Sequence, residues 1–342
     1  MYVTTTGTPV DELRNGPGVS HIDPADPAAP YYDLLNRLRH PLTLRELMIQ
    51  PVRTGYIGGP KLDPATLPPS AASLYPQVAV TERMIPSAMG PVRCQVYTPP
   101  SSGAPMPMCL YIHGGGFTVG SSDDTASITS RLAMENGLVV LSVNYRLAPE
   151  WPFPAGLDDC LAALTWMQSD GAAVNGDPSR IVVAGDSAGG NLAAALPLKA
   201  RDEGGAAPQA VLLLCPITDF ECEQFESFER LAPLGIVYDT AFVGYVRGAY
   251  VVSRRNRDHP HVSPARGDLK GYPPALIVSG DADPMIDDNT AFAANLARAG
   301  VAVEHLIRPR MPHGFYFFPH LLPDGEVAFE AARAFLTRHF GG

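Results

Sequence analysis

Several features that are common in membrane, secreted and nucleic-acid-binding proteins are missing from this chain of 342 residues. No stretch approaches the roughly 18 consecutive apolar residues that a helix needs to cross a bilayer. The first residues show no basic segment followed by an apolar run, so no signal peptide is predicted. Lysine and arginine number 25 against 35 aspartate and glutamate residues, and the net charge of −10 argues against a nucleic-acid partner.

Cysteine is scarce as well, with five residues, and there is no C-x-x-C pair. An odd number at wide spacing is atypical of a disulfide framework or a structural zinc site. Cys94, Cys109 and Cys215 lie in apolar runs, so we predict that they are buried thiols in a reducing compartment. We therefore expect a cytoplasmic protein.

Short apolar runs alternate with helical patterns from about residue 78, which is typical of βαβ units and a largely parallel sheet. The first two runs indicate antiparallel entry strands, and the inner runs are almost continuously apolar, as strands covered on both faces should be. Eight strands are predicted, at residues 78–85, 92–97, 108–112, 138–143, 181–184, 210–214, 275–278 and 301–307. The sequence therefore predicts an α/β fold.

Two segments interrupt this alternation. Residues 1–55 contain a helical pattern at 32–39 and 42–49, before any predicted strand. Residues 221–261 form an aromatic-rich insertion between two strands of the sheet. Because structureless loops of this length are uncommon in compact domains, we interpret the insertion as a lid.

The run Gly185-Asp186-Ser187-Ala188-Gly189 follows an apolar strand and leads into a helix-forming stretch. This order is the context that a G-x-S-x-G nucleophile elbow requires, in which a tight turn exposes the serine above the sheet. Glycines suit both flanking positions because a Cβ would crowd the strand or the helix. The alternative is a turn that contains a serine without catalytic use.

A second glycine-rich motif argues against that alternative. His113-Gly114-Gly115-Gly116-Phe117 directly follows the predicted strand at 108–112, 74 residues before the serine. Consecutive glycines allow backbone N–H groups to turn toward an oxyanion. Such a loop is the oxyanion partner of the elbow, together with the N–H group of Ala188 after the nucleophile.

The acid and the histidine of a triad should follow in that order. Four acids lie near the end of the strand at 275–278, namely Asp281, Asp283, Asp287 and Asp288. Asp287 and Asp288 precede a helix predicted at 290–298 and suit its N-terminus, and position alone leaves Asp281 and Asp283 open. His313 lies on the loop before the last helix, predicted at 326–339, where a general base belongs. His305 in a strand and His339 on that helix are predicted to be structural.

These motifs resemble the hormone-sensitive-lipase-like group of α/β-hydrolases, the microbial family IV esterases. The similarity extends over about residues 78–342. Besides the two glycine motifs, it rests on Asn144-Tyr145-Arg146-Leu147-Ala148-Pro149-Glu150 with Phe153-Pro154-Ala155, on Asp283-Pro284-Met285-Ile286-Asp287, and on His313-Gly314-Phe315. The resemblance implies that Asp283 is the triad acid.

The resemblance also implies an α/β-hydrolase fold with a mostly parallel eight-stranded sheet and a helical cap. The cap would consist of residues 1–55 and the insertion at 221–261, and the core of residues 56–220 and 262–342. Gly115, Gly116 and Ala188 would donate to the oxyanion, and His113 would be structural. Several relatives dimerise, so a homodimer is a possible state.

We therefore expect hydrolysis of a small-molecule ester with a short- to medium-chain acyl group, through Ser187, His313 and Asp283, without metal or organic cofactor. Phe117, next to the oxyanion loop, is a candidate pocket residue. An amidase, deacetylase or acyltransferase could use the same triad. A non-catalytic receptor is the other alternative, since plant gibberellin receptors resemble this scaffold but lack the histidine.

Overall fold

The computed structural model describes residues 74–101, 103–234, 240–319 and 322–340. The helical pattern at 32–49 and the rest of the segment 1–55 lie outside the described residues. The strands are β1 (Ala79–Ile85), β2 (Val92–Thr98), β3 (Met106–Ile112), β4 (Val139–Val143), β5 (Gly176–Asp186), β6 (Ala210–Leu214), β7 (Ala275–Gly280) and β8 (Val303–Arg308). The helices are α1 (Ala126–Asn136), α2 (Ala155–Asp170), α3 (Ser187–Asp202), α4 (Glu226–Leu231), α5 (Thr240–Tyr250), α6 (Ile286–Arg298) and α7 (Asp324–Phe340).

All eight strands form one sheet in the order β1-β2-β4-β3-β5-β6-β7-β8. The pairs β1–β2 and β2–β4 are antiparallel, and every later pair is parallel. The prediction of two antiparallel entry strands and a largely parallel sheet is confirmed. Because the parallel strands end at the same edge, the loops after β3, β5, β6, β7 and β8 meet there.

Helices cover both faces of the sheet, which explains why its inner strands are apolar throughout. Helices α1 and α7 pack on one face, where Leu132 and Phe335 are buried. Helices α2, α3 and α6 pack on the other face, where Leu164 and Leu192 are buried. Burial of this kind contributes about 25 cal/mol per Å² of apolar area and stabilises the sheet that positions the strand ends.

The insertion at 221–261 contributes α4 and α5 and short 3-10 turns. Its apolar side chains, among them Phe228 and Phe242, join the core on the face that α3 and α6 cover. The insertion therefore packs on the sheet domain at its carboxyl edge. No helix in the described ranges is both long enough and apolar enough to cross a membrane.

One helix begins earlier than its pattern predicted. Helix α6 starts at Ile286 rather than at residue 290, so Asp287 and Asp288 lie in its first turn instead of before it. From this first turn, both carboxylates accept hydrogen bonds from neighbouring segments. Asp287 accepts a hydrogen bond from Ser227 N at 2.8 Å, and Asp288 accepts one from Thr218 N at 2.7 Å. Such tertiary contacts are invisible in a local pattern.

Candidate active site

Ser187 occupies a sharp turn between strand and helix. Strand β5 ends at Asp186 and α3 begins at Ser187, whose φ of 53° lies in the left-handed region that L-residues seldom adopt. A Cβ on Gly189 would come within 2.1 Å of Ile112 O, and one on Gly185 within 2.4 Å of Gly189 O. Close backbone approach therefore requires both glycines of the motif, as the sequence predicted.

Asp186, to which the sequence analysis gave no role, connects the two glycine motifs. Its Oδ1 accepts hydrogen bonds from Tyr111 Oη at 2.8 Å and from Gly114 N at 3.1 Å. Burial raises the pKa of this carboxyl to about 6, although both hydrogen bonds act in the opposite direction. The residue before the serine thus ties the loop after β3 to the elbow. In the sequence, this role was indicated by nothing more than the position of Asp186 between the glycine and the serine of the motif.

His113 is buried and packs against Tyr145. Its ring stacks on Tyr145 with centroids 4.4 Å apart, and its Nδ1 lies 2.7 Å from Gly114 O. Because a carbonyl oxygen only accepts, Nδ1 carries the proton in this contact. Burial lowers the pKa of His113 to about 4, so the ring is neutral near pH 7. The arrangement fits the structural role that the resemblance implied.

His313 and Asp283 form a buried hydrogen-bonded pair. His313 Nδ1 lies 2.8 Å from Asp283 Oδ2, and the two side chains are 6% and 0% exposed. Asp283 Oδ1 accepts a further hydrogen bond from Met285 N at 2.9 Å. The carboxylate therefore holds the imidazole by Nδ1, which leaves the proton-accepting work to Nε2.

The other candidates occupy different places. Asp281 Oδ1 accepts a hydrogen bond from Arg310 N at the β7–β8 end of the sheet. His305 lies in β8 with Nε2 3.0 Å from Ser279 Oγ, and His339 packs on Phe335 in α7. Geometry thus separates Asp283 from Asp281, which position in the sequence alone did not.

Cys215, at the end of β6, is a neighbour that the sequence analysis assigned only to the core. Its sulfur and the facing atoms of Asp283 and His313 lie within 4.8 Å of one another. Burial, chiefly, raises the pKa of the thiol well above its usual value, so Cys215 stays protonated. The ligands of a tetrahedral zinc lie roughly 3.3 Å or more apart. The 2.8 Å contact between Asp283 and His313 therefore fits a hydrogen bond better than a shared metal.

A small cavity of about 40 Å³ opens beside Ser187. Its walls come from the oxyanion loop, the loop after β6, the insertion and the start of α6, as follows: Gly116, Ile217, Asp219, Phe220, Cys222, Phe242, Val243, Val246, Arg247 and Met285. Phe117, the predicted pocket residue, is buried and stacks on Tyr250 at 3.9 Å, behind the wall residue Phe220. It supports this wall from the core side.

The chain is similar to known protein families and to solved structures. A family model described as the alpha/beta hydrolase fold matches residues 109–317. Carboxylesterase NlhH of Mycobacterium tuberculosis is 37% identical over 270 residues, which cover 78% of this chain and 84% of that protein. Ethyl acetate hydrolase of Pseudomonas putida is 34% identical over 257 residues, with 73% of this chain and 78% of that protein covered.

Solved structures show the same similarity. A hyperthermophilic esterase from the archaeon Pyrobaculum calidifontis superposes with a TM-score of 0.78 at 29% identity, over 90% of this chain and 96% of that one. This likeness agrees with the sheet and helices of the described residues.

Proposed function

This chain belongs to the α/β-hydrolase family as an ester-hydrolysing serine hydrolase, and on that premise we propose how its residues perform the reaction. The proposal is acyl transfer from an ester to Ser187 and then to water, with His313 and Asp283 as partners. The observation that carries it is the buried 2.8 Å hydrogen bond between His313 Nδ1 and Asp283 Oδ2, at the edge of the sheet where Ser187 follows β5.

In the first half-reaction, Ser187 Oγ attacks the ester carbonyl carbon and its proton passes to His313 Nε2. Asp283 holds His313 in the tautomer that leaves Nε2 free to accept, and stabilises the imidazolium that forms. The imidazolium then donates its proton to the departing alkoxide, so the alcohol leaves and the acyl group stays on Ser187. The helix α3 begins at Ser187, and its N-terminal dipole favours the developing negative charge.

In the second half-reaction, a water molecule gives its proton to His313 Nε2 and attacks the acyl carbon. The tetrahedral species collapses, the proton returns to Ser187 Oγ, and the carboxylic acid leaves. The cycle therefore regenerates Ser187 and His313 in their starting forms, and each step uses residues of this chain and a water molecule.

We assign the oxyanion contacts to the N–H groups of Gly115, Gly116 and Ala188. Ala188 lies in the first turn of α3, where backbone N–H groups have no partner within the helix. The loop that carries Gly115 and Gly116 is closed by hydrogen bonds from Thr118 N and Val119 N to Gly115 O, both at 3.1 Å. Loss of one such donor typically costs about 3 kcal/mol of transition-state stabilisation.

We propose acyl groups of short to medium length. A volume of about 40 Å³ holds only a few non-hydrogen atoms. Helix α5 closes the cavity so tightly that a Cβ on Gly116 would lie 2.9 Å from Val246 Cγ2 and 3.0 Å from Phe242 Cζ. Among the similar proteins, one is named an acetyl-hydrolase and one an ethyl acetate hydrolase. We also propose residues 221–261 as a cap, since α5 covers the oxyanion loop. A homodimer and a cytoplasmic location stay predictions.

The test is turnover of p-nitrophenyl esters from acetate to laurate by the wild type and by Ser187→Ala. We expect the highest kcat/KM between acetate and hexanoate, and loss of turnover in the variant with unchanged thermal unfolding. The matched control is Ser169→Ala on the exposed end of α2, which should retain activity. Turnover by Ser187→Ala at the wild-type rate would contradict the nucleophile, and a preference for laurate would contradict the acyl range.

A further inference from the structure

A strained turn lies beside the nucleophile elbow. Asp186 and Leu214 are paired in register at the ends of β5 and β6, so Ser187 and Cys215 occupy adjacent positions just beyond the sheet. Cys215 has a φ of 44°, in the left-handed region that residues other than glycine seldom adopt. Such conformations persist only where the surrounding structure fixes them, and they cluster at functional sites. The contacts that fix this turn therefore indicate its use.

Two buried amides hold the main chain that follows Cys215. Asn289 Nδ2, on α6, donates a hydrogen bond to Pro216 O at 2.7 Å. Asn191 Nδ2, on α3, donates one to Ile217 O at 2.8 Å. Both asparagine residues are 0% exposed, and burial of a polar group is costly unless it is hydrogen-bonded. Here the bonds go to consecutive carbonyl groups of one turn, so two helices of the core fix that turn.

The amide of Asn289 is itself oriented by further hydrogen bonds. Its Oδ1 accepts a hydrogen bond from Ser279 Oγ at 2.8 Å, which leaves Nδ2 to face Pro216 O. Because Ser279 gives its only proton to Asn289, the 3.0 Å contact between Ser279 Oγ and His305 Nε2 requires a proton on His305 Nε2. A chain of hydrogen bonds from β8 through β7 and α6 thus ends on the carbonyl group next to Cys215.

The turn contacts several parts of the site. Ile217 belongs to the wall of the cavity beside Ser187, and Ile217 N donates a hydrogen bond to Ser187 O at 3.4 Å. The sulfur of Cys215 lies within 4.8 Å of the facing atoms of Asp283 and His313. A shift of this main chain would therefore move the cavity wall relative to the serine. Misplacement by about 1 Å at such a site can cost about 10²-fold in rate.

We propose that Asn289 is a positioning residue, which keeps Cys215 in the left-handed conformation through its hydrogen bond to Pro216 O. The fixed turn places Ile217 in the cavity wall beside Ser187. Without this hydrogen bond, the strain at Cys215 favours a relaxed turn in which Ile217 leaves its place in the wall. Glycine at position 215 would adopt the left-handed conformation without strain, so the turn would then need less support from Asn289. The inference rests on the proposed ester hydrolysis and adds a positioning residue to it.

The test is a double-mutant cycle between positions 289 and 215. Steady-state kinetics on p-nitrophenyl butyrate are measured for Asn289→Ala, and for Cys215→Gly and Cys215→Ala with and without Asn289→Ala. We expect Asn289→Ala to lower kcat/KM by about tenfold, mostly through kcat, because the displaced wall no longer holds the ester carbonyl in the geometry of attack. An unchanged kcat/KM in folded Asn289→Ala would overturn the inference.

The comparison of glycine with alanine at position 215 separates positioning from a general structural role. Both substitutions remove the thiol, but only glycine removes the strain. The ratio of kcat/KM for Cys215→Gly over Cys215→Ala is therefore measured in both backgrounds. We expect this ratio to be larger by about threefold or more when Asn289 is replaced by alanine. The same ratio in both backgrounds would mean that Asn289 does not act through this turn, and would overturn the inference.

Asn295→Ala is the matched control on the same helix. Asn295 Nδ2 also donates to a main-chain carbonyl group, Ala265 O at 3.0 Å, but neither residue belongs to the cavity wall. This variant should retain the butyrate turnover of the wild type. An equal loss in Asn295→Ala and Asn289→Ala would indicate a general weakening of α6 and would overturn the assignment to Asn289.

If Asn289→Ala does not fold, Ser279→Ala takes its place in the cycle, because it removes only the donor that orients the amide of Asn289. A fall in kcat/KM of about threefold that Cys215→Gly reverses and Cys215→Ala does not would support the proposal. A fall that neither reverses, or no fall, would overturn it. Absence of all ester turnover in the wild type would instead contradict the proposed function itself.

Discussion

The loops that carry Ser187 and His313 and the insertion that covers them are held by different kinds of contact. On the loops, carboxylates accept hydrogen bonds from main-chain N–H groups, as Asp186 does from Gly114 and Asp283 from Met285. One hydrogen bond of this kind also joins the insertion, from Ser227 N to Asp287, but there it accompanies extensive apolar packing and ion pairs whose acids are partly exposed, such as Arg247–Glu223 with the Glu223 side chain 46% exposed. Substitutions in the loops should therefore change the rate for every substrate. Substitutions in the insertion should change which substrate reacts fastest.

The largest effect should come from the acid of the triad. Asp283→Asn keeps the shape of the side chain but removes the charge that stabilises the imidazolium and selects the histidine tautomer. We expect kcat to fall by about 10⁴-fold on p-nitrophenyl butyrate with thermal unfolding little changed. The matched control is Asp281→Asn, on the same loop but bonded to Arg310 N. A comparable loss in both variants would remove the distinction between the two acids.

The second prediction for the loop region concerns a substitution of Asp186. In Asp186→Ala, Tyr111 Oη and Gly114 N lose their acceptor, so the oxyanion loop loses its tie to the elbow. We expect kcat to fall by about 10²-fold for acetate and hexanoate alike, because the donors near the oxyanion lose their alignment. Steady-state kinetics on both esters checks this. A loss for only one of the two chain lengths would place Asp186 among the residues that select substrate.

The insertion should respond differently. Phe242→Ala removes the ring that approaches Gly116 and closes the cavity on the side of α5. We expect the ratio of kcat/KM for octanoate over acetate to rise by about tenfold, since a longer acyl chain gains space and apolar contact. Phe228→Ala serves as a control, because Phe228 is buried in the same insertion but is not part of the cavity wall. An unchanged ratio in Phe242→Ala would refute the role of α5 as the end of the pocket.

The smallest effect concerns stability rather than rate. Burial raises the pKa of Asp288 from 3.8 to about 7, so the folded state binds its proton more tightly than the unfolded chain does. The stabilisation from this group is complete below about pH 4 and is lost as the pH rises toward 7. The free energy of unfolding, measured with urea at pH 5, 6, 7 and 8, should therefore decline less with rising pH in Asp288→Asn than in the wild type. Asp268→Asn, at an exposed position, should follow the wild type.

The glycine motifs were predictable because the strand–turn–helix order around them is visible in the sequence. Gly185 and Gly189 are required by close backbone approach, and such positions restrict the residue type in any sequence with this turn. The alternation of strands and helices was predictable for a similar reason, since buried parallel strands must be apolar along their whole length. The eight strands of the structure lie at the eight apolar runs from which they were predicted.

The other features of the site could not be predicted, because they depend on contacts between segments that are far apart in the sequence. Position could not separate Asp281 from Asp283, because the direction of each carboxylate follows from the turn after β7. Asp288 does lie in the first turn of a helix, as predicted, but its hydrogen-bond partner Thr218 lies 70 residues away. Phe117 was chosen for its place beside the oxyanion loop, but its ring is buried against Tyr250 and lies outside the wall of the cavity. Arg247 had no local signal at all, since only tertiary packing buries it beside Ser187.

The central claim is that the acyl group passes through Ser187. It is tested most directly by acid-quenching the enzyme during turnover of p-nitrophenyl butyrate and mapping the butyryl group by peptide mass spectrometry. We predict a butyryl adduct on Ser187 in the wild type that appears within the burst of p-nitrophenol, and none in Ser187→Ala. A butyryl group on another residue, or a burst of equal size in Ser187→Ala, would contradict the account.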